Sequence, residues 1–228
     1  MNTLEVCASD LASARAAAEG GAQRIELCRD LALDGLTPPR AWIEEARSIE
    51  GLKLHVLIRP VEGGFVYDEP VFDLMREEIR MCRQLGADGV VIGALTQEGD
   101  IDVEHLRPLM TEAQGMQVTF HRAFDVCRDP RQSLEDIISL GCDRLLSSGQ
   151  QPTAEQGIPL LRELVKQAAG RIIIMPGAGV NPDNAAKILN ETGTKEIHSS
   201  ARKIGKDGQK ITDTAVVTAI LTQINKTL

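Results

Sequence analysis

With 228 residues, a net charge of −8, 43% hydrophobic residues and only 3% aromatics, the chain can bury one sizeable core, and that core must be aliphatic. Negative charge and scarce aromatic rings argue against nucleic acid, which needs a basic surface and stacking platforms. No apolar run approaches a membrane span, and Met1 to Cys7 lacks the basic and apolar regions of a signal peptide, so the expectation is a cytoplasmic protein that contacts no membrane.

The predicted elements follow one another regularly. A strand at Leu4–Ala8 leads to a helix at Leu11–Glu19, which Ser9 or Asp10 can cap and Gly20-Gly21 stops. A second strand at Arg24–Cys28 and a polar loop precede a helix from about Ala41 to Ile49. The third strand, Leu54–Arg59, places His55, Leu57 and Arg59 on one face. A loop with Pro60 and Gly63-Gly64 opens a helix from about Val71 to Leu85. Strand four, Gly89–Leu95, is an apolar run of the kind buried on both faces in a parallel sheet. A helix at Val103–Ala113 leads to strand five at Gln117–His121. A helix at Pro130–Leu140 leads to strand six at Arg144–Gly149. A helix at Ala154–Ala169 precedes strand seven, Arg171–Met175, and Asn181-Pro182 starts the next helix. Strand eight, Glu196–Ser200, is followed by a Lys- and Gly-rich loop and a last helix, Thr214–Lys226.

Eight strand–helix units without a linker predict a single (β/α)8 barrel spanning residues 1–228. A doubly wound sheet is the alternative, but the first turn, Cys7-Ala8-Ser9, is not glycine-rich.

In such a barrel, polar residues at strand C-termini carry function. Strands one and two repeat the pattern Glu-x-Cys: Glu5 and Cys7, then Glu26 and Cys28. The period of two turns each Glu and Cys to one face and Leu4, Val6, Ile25 and Leu27 to the other. Adjacent strands lie about 4.8 Å apart, so two inward sulfurs could meet on one ion. Thiolates select Cu(I) or zinc, and a sulfur pair without imidazole suits Cu(I) better. The alternative is a reduced core pair. Five cysteines make no disulfide scaffold; Cys82 and Cys142 read as small buried hydrophobes, whereas Cys127 sits in a loop.

Arg59, His121 and His198 also end strands, while His105 falls on a helix and is expected to be solvated. Two readings of the charged cluster remain open. In one, Arg59 pairs with a glutamate and the network only fills the barrel. In the other, the chain is an enzyme for a small anionic or phosphorylated metabolite, with Glu5, Glu26, Arg59, His121 and His198 as its acid–base and binding set. Gly177, Gly179, Ser199 and Ser200 would hold the anion, since loops after strands seven and eight bind phosphate in many barrels. The glycines could equally serve a tight turn. No Lys ends a strand, which argues against a Schiff-base aldolase, and Ser147-Ser148 lacks the nucleophile-elbow pattern.

Several stretches resemble a known family: Ile25-Glu-Leu-Cys28, Gly35-Leu-Thr-Pro38, Ile58-Arg-Pro60, Val118-Thr-Phe-His-Arg-Ala-Phe-Asp125, Ser147-Ser-Gly-Gln150, Pro176-Gly-Ala-Gly-Val180 and His198-Ser-Ser-Ala201. Together they are similar to the CutC family of copper homeostasis proteins, over nearly the whole chain. The resemblance implies a cytoplasmic barrel, a homo-oligomer, and Cu(I) bound at the positions of Cys7 and Cys28. Two stretches depart from the family pattern. Val61-Glu62-Gly63-Gly64 stands where Arg-Gly-Gly-Asp is usual, and the segment Arg202–Thr212 is short.

Overall fold

A computed structural model describes residues 2–205 and 210–226. Eight parallel strands alternate with helices: β1 (Thr3–Ala8), α1 (Leu11–Glu19), β2 (Arg24–Leu27), α2 (Arg40–Arg47), β3 (Lys53–Leu57), α3 (Glu69–Gln84), β4 (Gly89–Ile92), α4 (Val103–Glu112), β5 (Gln117–Phe120), α5 (Pro130–Leu140), β6 (Arg144–Ser147), α6 (Ile158–Ala168), β7 (Ile173–Pro176), α7 (Ala185–Thr192) and β8 (Glu196–Ser199). An antiparallel hairpin, β9 (Arg202–Ile204) and β10 (Lys210–Thr212), precedes α8 (Thr214–Asn225). The ladder runs β7-β6-β5-β4-β3-β2-β1-β8, a nearly closed (β/α)8 barrel. Across the β7–β8 seam the Thr194 hydroxyl donates to the Ile174 carbonyl.

Local chemistry explains the helix starts. Asp10, Asp68, Asp102, Asp129 and Asp213 each accept a backbone N–H from the first turn of the helix they precede. Such a cap stabilises by about 1 kcal/mol. Of the two candidates for α1, Asp10 does the capping, taking the Ser13 N–H at 2.6 Å.

Three expectations need correction. α6 begins at Ile158 and α7 at Ala185, because turns take up the residues before them. The loop expected between Ser200 and Thr214 contains the β9–β10 hairpin; its central residues, 206–209, lie outside the described residues. His105 is not simply solvated. Its ring stacks on Phe72 with centroids 4.6 Å apart, and its Nδ1 lies 2.9 Å from the Asp102 carboxylate.

The strand alternation sorts two interiors. Leu4, Val6, Ile25, Leu27, Val90 and Ile92 point outward into the main aliphatic core beneath the helices. Inside the barrel the apolar cluster is small: Cys7, Cys28, Leu57 and Val91. The remaining inward positions are largely polar and buried, among them Glu5, Arg24, Glu26, His55, His121, Arg144 and His198. β4 and the residue that follows it make room for two of the rings. A Cβ on Gly89 would lie 2.6 Å from His55 Nε2, and one on Gly93 would lie 2.5 Å from His121 Cε1. Both glycines are therefore close-approach positions.

Candidate functional site

The lower barrel is filled by ions. β1 and β2 pair in a register that sets Glu5 beside Arg24. Arg24 donates through Nε to Glu5 at 2.5 Å and through Nη2 to Glu196 at 2.5 Å. Arg144 donates to the same Glu196 oxygen at 2.8 Å. Two arginines and two carboxylates thus balance in a buried layer, which is the condition for keeping charge out of water. His55 completes the layer as a neutral ring, since burial drives its pKa down to about 4 against the pull of Glu5.

Glu5 links this layer to the site above. His198 Nδ1 lies 2.8 Å from Glu5 Oε1. Burial alone would raise the Glu5 carboxyl, yet Arg24, His198 and His55 together hold it well below the ordinary carboxylate range. His198 answers in the opposite sense. Burial pulls its imidazole down, but hydrogen bonds to Cys7 and Glu5 and the charges of Glu26 and Glu5 outweigh it, and the ring stays protonated well above its usual range. The arrangement is an ion pair, Glu5 with His198, whose ring also meets Cys7 and lines the cavity.

Above the layer opens a cavity of about 450 Å³ at the C-terminal mouth, lined by Cys7, Glu26, Arg59, His121 and His198 together with residues of the βα loops such as Phe65 and Gly179. Cys7 and Cys28, at the ends of neighbouring strands, have their sulfurs 3.8 Å apart. The hydrogen bond between the thiols, then burial, pushes Cys7 well above the usual thiol range. The ligand atoms of Cys7, Glu26 and His198 lie within 4.8 Å of one another, so an imidazole and a carboxylate stand at the Cys7 end of the sulfur pair. Metal–sulfur bonds of about 2.3 Å span at most about 4.6 Å between two sulfurs. The observed 3.8 Å therefore fits a bent pair with room for a third donor. Glu5 behind His198 is the carboxylate that orients a metal-ligating imidazole in many sites.

Glu26 is 6% exposed, and its Oε2 has no hydrogen-bond partner among the described residues. Burial, helped by Glu5 and opposed by His198, pushes its pKa up to about 7. His121 accepts the Ala123 N–H at Nδ1, which places its proton on Nε2, and that atom too lacks a partner. Burial, with Arg59 adding to it, lowers His121 to about 3, so the ring is neutral.

Arg59 does not pair with a glutamate. It donates to the carbonyls of Leu33 and Gly35 at 2.7 Å and of Gly63 at 2.6 Å, and it meets no carboxylate among the described residues. It ties the loops after β2 and β3 together while its charge stays uncompensated, partly facing the Phe65 ring at 5.4 Å. Gly63 belongs to the stretch that departs from the family pattern, and its carbonyl is what closes on Arg59.

The four expected anion-binding positions divide. Gly177 is used up: its N–H donates to the Ser147 carbonyl at 3.0 Å, and a Cβ there would strike Leu146. The Ser199 hydroxyl is spent on the Val180 carbonyl at 2.7 Å. Gly179, Ser199 and Ser200 line the cavity, Ser199 with its hydroxyl already committed. Asp125, the last residue of the Val118–Asp125 motif, gathers Arg122, Ser147, Ser148 and the Gln150 N–H, so two of the quoted motifs form one physical unit. Arg24, Arg144 and Glu196 were missed as site supports. The signal for Arg24 was available, since it shares its strand face with Glu26.

Fold and site together define a (β/α)8 barrel with a sulfur, imidazole and carboxylate cluster at its mouth. The chain belongs to the CutC family, whose sequence profile matches residues 2–203. It is 51% identical to the CutC family protein of Bacteroides thetaiotaomicron, over 93% of this chain and 86% of that one. It is 42% identical to that of Pasteurella multocida, over 98% and 99%. A solved structure of CutC from Streptococcus agalactiae, described as a proposed copper homeostasis protein, superposes with a TM-score of 0.84 at 35% identity, covering 88% of this chain and 99% of that one.

Proposed function

We propose that the protein serves copper homeostasis by holding Cu(I) between Cys7 and Cys28, with His198 as a third donor. The observation that carries this reading is the pair of thiols 3.8 Å apart, Cys7 lining an open cavity and Cys28 buried behind it. Soft sulfur donors select Cu(I), and the imidazole beside them is a common partner for copper. The family link and the copper description of the Streptococcus relative point the same way. Five free, buried cysteines suit a reducing compartment, the cytoplasm. Titration of the reduced protein with Cu(I) tests the proposal. One equivalent is expected to bind in the wild type and to be lost in both Cys7→Ser and Cys28→Ser; unchanged stoichiometry in both variants would overturn it.

A further inference from the structure

The cavity holds more chemistry than a soft metal needs. Three of its buried side chains keep a polar group that finds no partner among the described residues. Glu26 keeps an unpartnered carboxylate oxygen, His121 an unpartnered Nε2–H, and Arg59 a guanidinium without a counter-ion. All three line the same 450 Å³ space, which is sized for a small molecule. They are 6%, 5% and 3% exposed, so each has left water without a full set of replacement partners. Such groups are costly unless a ligand completes them.

Their chemistry is complementary. Arg59 attracts an anion. His121, kept neutral, donates a hydrogen bond to a carbonyl oxygen as a fixed dipole and does not compete as a base. Glu26, whose unpartnered carboxylate oxygen stands on the cavity wall, is the acceptor for a proton. A neutral imidazole donor with a glutamate base is a known arrangement for removing a proton next to a carbonyl.

We propose that this wall of the cavity binds a small anionic carbonyl compound and enolises it. Arg59 and the neighbouring backbone take the carboxylate or phosphate, and His121 Nε2–H takes the carbonyl oxygen. The Glu26 carboxylate removes a proton from the carbon beside the carbonyl: the C–H bond breaks, the O–H bond forms, and the electron pair moves onto the oxygen held by His121. The protonated Glu26 trades its proton with solvent, and delivery of a solvent deuteron back to the same carbon, as the electron pair returns from the oxygen, gives exchange with no net change in the compound. No oxidant, reductant or second substrate enters. The chemistry needs no copper, although Glu26 lies within 4.8 Å of the Cys7 and His198 ligand atoms and so shares the cavity with the proposed metal position.

The test uses the full chain, reduced and with a Cu(I) chelator present throughout, in deuterated water. Pyruvate and dihydroxyacetone phosphate serve as the two probes, one carrying a carboxylate and the other a phosphate. Proton NMR follows loss of the C–H signal beside the carbonyl, and saturation transfer reports binding. Exchange above the protein-free rate is expected with one probe, identifying the anion that Arg59 prefers. Glu26→Gln should bind that probe as before and exchange it roughly 100-fold more slowly. Circular dichroism of the variant separates loss of the base from loss of the fold, and His121→Gln, expected to slow exchange with binding retained, gives a second readout. Absence of exchange with both probes, or exchange unchanged in Glu26→Gln, would overturn the proposal.

Discussion

His198 Nδ1 and Glu5 Oε1 stand 2.8 Å apart, joining an imidazole at the cavity floor to a carboxylate with no solvent exposure. Through its other oxygen Glu5 holds Arg24, so one side chain couples the site to the ion layer beneath. Substituting Glu5 with Gln leaves Arg24 and His198 facing a neutral amide. Removing one member of a buried charge set in this way costs about 3–5 kcal/mol. Urea denaturation at pH 7 should show a loss of that order. It should also show that acid no longer weakens the variant as it does the wild type. The Glu5 carboxyl is depressed in the fold, so its contribution is complete above the unfolded value near 4.5 and is lost as pH falls below it.

Glu26 behaves in the reverse sense. Its folded pKa of about 7 lies above the model-compound value of 4.5, so the folded state holds a proton that the unfolded chain releases between these limits. Stability therefore falls as pH rises from 4.5 to 7. The interval corresponds to about 3–4 kcal/mol at about 1.4 kcal/mol per unit. Glu26→Gln should match the wild type near pH 4.5 and exceed it by that amount above pH 8, as read by denaturation midpoints. A wild type whose stability is flat across this window would contradict the burial of an unpartnered carboxylate.

Copper affinity should climb with pH. Cys7 is held as a thiol and His198 as an imidazolium, and binding at both must displace protons. Competition against a chromogenic Cu(I) chelator should give tighter binding at pH 8 than at pH 6. Proton release measured in weak buffer checks the same statement. A pH-independent affinity would point to donors other than these two.

Gly93→Ala tests the space that the residue after β4 leaves for His121. The added methyl would sit 2.5 Å from the ring, so the imidazole must move or the strands must part. Overpacking of this kind costs about 1–3 kcal/mol. The His121 ring signals should shift in an NMR spectrum while those of His105, on α4, stay in place. The same substitution at Gly64, where a Cβ would meet nothing within 4 Å, serves as the control.

Much of this arrangement can be read in the sequence, for reasons that differ by residue. Leu4-Glu5-Val6-Cys7 and Ile25-Glu26-Leu27-Cys28 declare their faces because a strand alternates and the apolar side has only one place to go. Partners were harder. Arg24 meets Glu5 because of the β1–β2 register, and register is set between strands, not within one. Arg59 finds carbonyls where one of the two readings paired it with a glutamate, since the carbonyls belong to loops whose path no periodicity encodes. Gly177 and Gly179 look alike in Pro-Gly-Ala-Gly-Val, but only three-dimensional placement gives the first N–H to Ser147. The β9–β10 hairpin escaped notice because its strands are three residues each and carry no clear alternation of apolar and polar side chains.

The ion layer of Glu5, Arg24, Glu196 and Arg144 also decides traffic. With these side chains packed across the barrel and nearly free of solvent, the cavity is a cul-de-sac with one doorway, at the strand C-termini. Whatever arrives must leave by the route it came, and two visitors cannot pass. A copper ion seated at Cys7 and His198 would block the passage to Glu26, and a carbonyl compound resting against Glu26 would shut copper out. Each occupant would thus act as a competitive inhibitor of the other, tying metal level to turnover without a second site.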